Sequence, residues 1–135
     1  MLAAAGAWWR RVRGRDPLGA RGEREAARRL RGMGYRVIAR NVRSRMGEID
    51  LIALDPDGRT VVFVEVKTRL EGAGVRGEAS VGAHKQSKLR ALALVEARKR
   101  GWGDRPLRID VVGVDWPRDG RGRAAVRVHR GAVSG

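Results

Sequence analysis

Cysteine is absent from the 135-residue sequence, and histidine occurs only twice, at His84 and His129. A chain without cysteine has no disulfide bond, no thiolate zinc site and no cysteine nucleophile. Two histidines are too few for a histidine-rich metal site, so any bound metal would take oxygen ligands. The lack of cysteine also fits the reducing cytoplasm, and a cytoplasmic location is expected.

Long apolar runs are missing as well. No segment approaches the roughly 20 apolar residues that a membrane-spanning helix needs, so no membrane association is expected. The opening segment "MLAAAGAWWRRVRGR" places its basic cluster after a short apolar run, which is the reverse of a secretory signal. Residues 1–15 are therefore interpreted as a flexible basic arm, 16–130 as a single domain and 131–135 as a tail.

Acidic residues are scarce relative to basic ones, since 15 Asp and Glu stand against 30 Lys and Arg, for a net charge of +15. Such a surplus attracts polyanions, nucleic acid first and an acidic membrane surface second. Most of the basic residues are arginine, and a GC-rich genome can raise the arginine content of neutral surfaces. The size of the surplus still favours a nucleic-acid partner, and DNA is the expected one.

The apolar periodicity predicts seven elements in one α/β domain. Asp16-Pro17 is a helix start signal, and Gly32 and Gly34 mark the end of that helix. The order αβββαββ predicts a mixed β-sheet flanked by helices. Helices are predicted at 18–30 and 84–100, strands at 35–40, 48–54, 59–69, 107–115 and 124–130, a basic turn or loop at 41–47, and a mobile glycine-rich loop at 70–83.

The third predicted strand carries two charges inside an apolar run, "VVFVEVKTR" at 61–69. Alternation along a strand puts Glu65 and Lys67 on the same face. The turn "DPDG" (55–58) joins this strand to the one before it, and counting back through the hairpin sets Asp50 opposite Glu65. Two opposed carboxylates repel each other unless a cation lies between them.

The first helix carries a third carboxylate on its inward face. Glu23, Ala26, Ala27 and Leu30 follow helical spacing and form one stripe, which is apolar except for Glu23. An unpaired charge pointing at the sheet would be costly. Three carboxylates and one lysine on a common face would suit Mg²⁺ or Mn²⁺. The alternative is a Glu–Lys ion pair on a sheet edge and a helix carboxylate that is salt-bridged to an arginine.

The order of the charged residues resembles the PD-(D/E)xK nuclease signature. In that signature one acidic residue precedes Glu-x-Lys on the next strand, as Asp50 here precedes Glu65-Val66-Lys67. The sequence departs from the signature's name at Ile49, where the name has proline.

Longer segments resemble one group of such proteins more closely. The helix glutamate in "GARGEREAA" (19–27), with "GEIDLIA" (47–53) and "VFVEVKTR" (62–69), resembles the bacterial UPF0102 (YraN-like) family. Its members are predicted endonucleases similar to archaeal Holliday junction resolvases. The similarity covers residues 16–115 in several separated motifs.

The resemblance implies a restriction-endonuclease-like core and Mg²⁺-dependent hydrolysis of DNA phosphodiesters. Asp50 and Glu65 would bind the metal together with the Val66 carbonyl, Lys67 would be the catalytic lysine, and Glu23 would be an outer metal ligand. Branched or junction DNA is the substrate that the resemblance suggests. Symmetric cutting of a junction would favour a homodimer.

Four further basic residues are candidate phosphate contacts. Lys85 is in phase with the apolar face of the second helix, so its head would reach the rim of the site. Arg43, Arg45 and Arg69 flank the site, although each of them is also compatible with ordinary surface. The alternative function is a non-catalytic nucleic-acid-binding module on the same fold, and a weaker one is an adaptor for an acidic protein. Asp110 is interpreted as a structural residue that pairs with Arg108 or another arginine.

Overall fold

The structure is a computed structural model and describes residues 17–71 and 83–133. This part of the chain forms a five-stranded mixed sheet with two helices. The strands lie in the order β1-β2-β3-β4-β5; β3 and β4 are parallel and the other neighbours antiparallel. The elements are α1 (Pro17–Gly32), β1 (Arg36–Ser44), β2 (Gly47–Leu54), β3 (Val61–Leu70), α2 (Ala83–Lys99), β4 (Leu107–Trp116) and β5 (Ala125–Val133).

This architecture confirms the predicted α/β fold with the order αβββαββ, the arrangement expected of a restriction-endonuclease-like core. The predicted basic arm, the Asp16 cap and nearly all of the predicted glycine-rich loop lie outside the described residues. In the described part of the chain, neither helix is long and apolar enough to cross a membrane.

Small residues let α1 lie close to the sheet. The buried face of α1 is formed by Gly19, Gly22, Ala26, Ala27 and Leu30. A Cβ atom placed on Gly22 would lie 2.6 Å from Thr68 Cβ, so only glycine permits this approach to β3. The close contact fixes the height and rotation of the helix above the sheet, and with them the position of the neighbouring Glu23.

The sheet is covered on both faces, which explains why its central strands are almost continuously apolar. Under α1, the core includes Leu51 and Val64 of the sheet and Leu30 of the helix. Under α2, it includes Ile52 and Phe63 of the sheet, with helix residues such as Leu89 and Leu92. Charged residues in β2 and β3 are therefore exceptions in strands that are otherwise built for burial.

The hairpin between β2 and β3 has the predicted register. Asp55 N donates to Thr60 O at 2.9 Å, and the ladder continues through Ile52 opposite Phe63 to Leu51 opposite Val64. The next step in this register sets Asp50 against Glu65. The turn residues of "DPDG" thus define which side chains of the two strands face each other.

The segment 41–47 was predicted as a basic turn or loop, and this prediction is wrong over its first half. β1 continues to Ser44, opposite Gly47, and the chain reverses at Arg45 and Met46. The strand continues because Val42 pairs with Ile49 and packs against the core under α2. β5 likewise runs beyond its predicted end at residue 130, to Val133.

Candidate functional site

Asp50 and Glu65 are both buried where β2 and β3 separate. The paired ladder ends at Leu51 and Val64, and the Val66 N–H donates instead to Asp50 Oδ2 at 2.7 Å. Asp50 is 0% exposed and Glu65 is 1% exposed. The Val66 N–H thus bonds the Asp50 side chain instead of a backbone carbonyl of the neighbouring strand. This hydrogen bond holds the Asp50 carboxylate between the strands.

Two lysines approach the Glu65 carboxylate. Lys67 Nζ lies 3.7 Å from Glu65 Oε1, and Lys85 Nζ lies 3.0 Å from the same oxygen. Lys67 is the next residue on the same face of β3, as alternation predicted. Lys85 belongs to α2, where it is in phase with the buried residues Leu89 and Leu92. The sequence analysis predicted that Lys85 reaches the rim of the site, and the structure places its ammonium on Glu65.

Glu23 contacts a residue of β1 that the sequence analysis did not single out. With its amide nitrogen turned toward the two carboxylates, Asn41 donates to Glu23 Oε1 at 2.9 Å and to Glu48 Oε1 at 3.2 Å. Asn41 has a φ of 50°, a left-handed conformation that asparagine tolerates better than most residues. Arg43 Nε lies 3.9 Å from the same Glu48 oxygen.

The sequence did contain a signal for Asn41. It is a neutral amide in the basic run "RNVRSR", two residues after a strand position and opposite a strand that carries acidic residues. Its partners were not predictable from spacing because they lie on α1 and β2, which the fold brings together.

The three predicted metal-binding carboxylates are not gathered into one cluster. Within residues 17–71 and 83–133, no three Asp, Glu or His side chains are close enough to hold a single metal ion. The donors at the strand ends are the Asp50 and Glu65 carboxylates, with the Val66 carbonyl on the same strand segment. Hard oxygen donors in this number fit Mg²⁺, because that ion usually keeps several of its waters. Glu23 lies outside this donor set, so its predicted role as an outer metal ligand stays a prediction.

The predicted phosphate contacts differ from one another. Arg43 and Arg45 lie at the exposed β1–β2 turn, and 65% of the Arg43 side chain is exposed. Arg69 Nε instead donates to Asp115 Oδ1 at 2.8 Å, and Arg127 donates to the other oxygen at 3.0 Å. Burial raises the pKa of Asp115, but the hydrogen bonds from the two arginines outweigh it and hold this pKa below its usual value. Arg69 is thus engaged within the protein.

A second polar cluster lies on the other face of the sheet, and it confirms the predicted pairing of Asp110 with Arg108. Arg108 donates to Asp110 Oδ1 at 2.8 Å and to Asp55 Oδ1 at 2.6 Å, and Tyr35 OH donates to Asp110 Oδ2 at 3.2 Å. Burial, and then the charge of Asp110, raise the pKa of Tyr35. This cluster, formed by Tyr35, Asp55, Arg108 and Asp110, is called the arginine cluster below.

Comparison with known proteins connects the chain to a group of relatives. The family model described as "Uncharacterised protein family UPF0102" matches residues 22–114. A UPF0102 protein of Symbiobacterium thermophilum is 51% identical over 105 residues, which cover 77% of this chain and 86% of that protein. A UPF0102 protein of Mycolicibacterium smegmatis is 45% identical over 122 residues, covering 88% and 94%. The matched range contains Glu23, Asp50, Glu65, Lys67 and Lys85.

Proposed function

The chain belongs to the uncharacterised protein family UPF0102, and we propose that it is a metal-dependent endonuclease that hydrolyses DNA phosphodiesters. The observation that carries this proposal is the buried pair Asp50 and Glu65 with Lys67 Nζ 3.7 Å from Glu65. The two carboxylates lie buried at the end of an apolar hairpin, where burying a charge is costly unless it is paired or bound to a metal. A catalytic use of the pair explains that cost.

Asp50 and Glu65, with the Val66 carbonyl, would hold Mg²⁺ or Mn²⁺. When bound, such an ion lowers the pKa of a coordinated water and offsets the charge that develops on a phosphate. The Val66 N–H fixes the Asp50 carboxylate in one orientation, which preorganises that ligand. The Lys67 ammonium, on a side chain that is 26% exposed, would orient the attacking water or stabilise negative charge on the phosphate.

DNA is the proposed substrate because of the net charge of +15 and the exposed basic turn at Arg43 and Arg45. Such residues neutralise phosphates without reading the base sequence. Branched or junction DNA, and a homodimer that cuts two strands symmetrically, belong to the same proposal. They are supported by the resemblance to junction resolvases stated above.

A non-catalytic nucleic-acid-binding module is the second candidate. It is favoured by the two lysines at Glu65, since a carboxylate paired with ammonium groups also satisfies the rules for a structural ion pair. In this function the basic surface would bind nucleic acid and the buried pair would only specify the fold.

Cleavage assays separate the two candidates. Labelled four-way junction, flap, duplex and single-stranded DNA are incubated with the protein in Mg²⁺, Mn²⁺ or EDTA. A Glu65→Ala, Lys67→Ala double variant, purified in parallel, controls for contaminating nuclease. We expect cleavage that needs the metal and is lost in the double variant, and the preferred DNA defines the substrate. Binding without cleavage in either metal, unchanged in the variant, would establish the binding module instead.

A further inference from the structure

The Lys85 ammonium forms an ion pair with Glu65. Its Nζ lies 3.0 Å from Oε1, whereas Lys67 Nζ lies 3.7 Å from the same oxygen. We propose that Lys85 is a built-in competitor for the metal: its ammonium occupies the cation position on Glu65 and has to leave before a divalent ion binds there. This inference rests on the proposed function, because it takes Glu65 as a metal ligand.

Distances make the two occupants incompatible. Mg²⁺ binds carboxylate oxygens at about 2.0–2.1 Å. With Nζ remaining 3.0 Å from Oε1, an ion bound to that oxygen would lie within about 5 Å of the ammonium. Like charges at that separation repel each other, so the ammonium and the metal ion compete for the same carboxylate.

Lys85 is the partner that can move. Its side chain is 32% exposed, whereas the Glu65 side chain is 1% exposed and belongs to a central strand of the sheet. A lysine ammonium is a point charge on a flexible stem of four carbons, so it can leave one oxygen without a change in the backbone. Lys67, on the same strand as Glu65, remains beside the carboxylate when Lys85 leaves.

The ion pair between Lys85 and Glu65 also has a role in the metal-free protein. A buried carboxylate with no cation nearby would destabilise the fold. The ion pair with Lys85 stabilises Glu65 in the metal-free protein, and the energy of that ion pair is then subtracted from metal binding. The protein therefore gains a stable metal-free state and binds its metal more weakly.

Calorimetric titration of the full-length protein with Mn²⁺, without DNA, tests this competition. Removing the competing charge in Lys85→Met should tighten Mn²⁺ binding about tenfold or more, as expected when a like charge within about 4–6 Å is deleted. Lys88→Met is the matched control, because Lys88 is an exposed lysine one turn along the same helix. Its affinity should equal that of the wild type. In a Glu65→Gln, Lys85→Met double variant, the increase in Mn²⁺ affinity caused by Lys85→Met should disappear.

Thermal unfolding supplies a second readout and a check of folding. A ligand that binds only the folded state raises Tm in proportion to its affinity, so a given Mn²⁺ concentration should raise the Tm of Lys85→Met more than that of the wild type. Without metal, Lys85→Met should have the lower Tm of the two, since Glu65 loses its ion pair with Lys85.

Each outcome separates this inference from the proposed function. Equal or weaker Mn²⁺ binding by a folded Lys85→Met protein would overturn the inference and leave a metal-dependent nuclease intact. The predicted order of affinities without cleavage of any DNA would support the inference and contradict the nuclease. No binding by the wild type and every variant would overturn the inference and the metal requirement together.

Discussion

The two faces of the sheet carry two buried acidic clusters with different partners. On the α1 side, Asp110 is 0% exposed and accepts hydrogen bonds from Arg108, Tyr35 and the Gly131 N–H, all at 3.2 Å or less. On the α2 side, the equally buried Glu65 is approached by the ammonium groups of two lysines. Both clusters bury negative charge, but only one does so with a rigid planar donor.

The choice of cation explains what each cluster can do. The Arg108 guanidinium presents several N–H groups in a fixed fork and contacts Asp110 and Asp55 at once, and Arg130 donates to the same Asp55 oxygen at 2.9 Å. A lysine ammonium is a point charge on a flexible stem that can exchange with another cation. The arginine cluster is therefore suited to stability, and the lysine-paired site at Asp50 and Glu65 is the one in which the proposed function places its chemistry.

The sharpest test of this comparison uses two aspartates that are both 0% exposed, Asp50 and Asp110. Asp50→Asn should lower the single-turnover rate of DNA cleavage by about a thousandfold, because the loss of a metal ligand removes several kcal/mol of transition-state stabilisation. Asp110→Asn should cleave at the wild-type rate under conditions where it is folded, because its partners are structural. The rate is measured on the preferred DNA at saturating metal.

In stability, the order of these two variants should be the reverse of their order in the loss of cleavage rate. Asp110→Asn should lower the free energy of unfolding in urea by about 2 kcal/mol, since hydrogen bonds to charged groups and a buried guanidinium are affected. Asp50→Asn retains a side-chain oxygen that can accept from the Val66 N–H, so its stability should change less. A similar loss of cleavage in both variants would show that the two clusters are not functionally distinct.

The cations themselves give the next largest effect. Arg108→Met removes the one cation that contacts both Asp55 and Asp110 among the described residues, although Arg130 still contacts Asp55, and it should cost about 3 kcal/mol in the free energy of unfolding. Lys67→Met should cost about 1 kcal/mol, because Lys85 still contacts Glu65. Urea denaturation of both proteins without metal measures the difference. Equal losses would mean that the lysines stabilise the fold as firmly as the arginine does.

The sequence was sufficient to predict the hairpin and the residues of the site on it. "DPDG" fixes the turn, and the pairing that starts at Asp55 and Thr60 and runs to Leu51 and Val64 brings Asp50 and Glu65 to the same end of the hairpin. Alternation then places Lys67 beside Glu65. These are local relations of the chain, which is why periodicity and turn chemistry predict them.

Contacts between distant elements were harder to predict. Helical spacing showed that Lys85 points inward, but not that its ammonium meets Glu65, because the distance between α2 and the sheet depends on packing. Asn41 belongs to the segment 41–47, which was predicted as a basic turn or loop. The structure places Asn41 in β1, where pairing with β2 overrides this local preference.

Asn41 offers a smaller test, since it joins two carboxylates as Arg108 does but without charge. Asn41→Gly removes the amide and keeps the left-handed φ of 50° accessible, whereas Asn41→Ala also strains the backbone. If the amide positions Glu23 for the outer shell of the metal, both variants should slow cleavage about tenfold, as other residues around metal sites do. A normal rate in Asn41→Gly would restrict the role of Asn41 to its backbone.

The smallest expected effect concerns the response of the arginine cluster to acid. Burial raises the pKa of Asp55, but hydrogen bonds from the Asp57 N–H and from Arg108 outweigh it, so this pKa lies below its usual value. A folded pKa below the unfolded value of about 3.9 means that Asp55 stabilises the protein fully above about pH 4. That stability is lost as the pH falls further, through the folded pKa.

Asp55→Asn should therefore be less stable than the wild type at neutral pH and should lose less stability on acidification. Urea denaturation at a series of pH values from about 6 to about 3 gives the free energy of unfolding of each protein against pH. The curves of the variant and the wild type should converge below about pH 4. Curves that stay parallel would show that Asp55 is not held ionised by Arg108. Convergence would show that Asp55 contributes to stability through its charge, as the guanidinium partner of this cluster predicts.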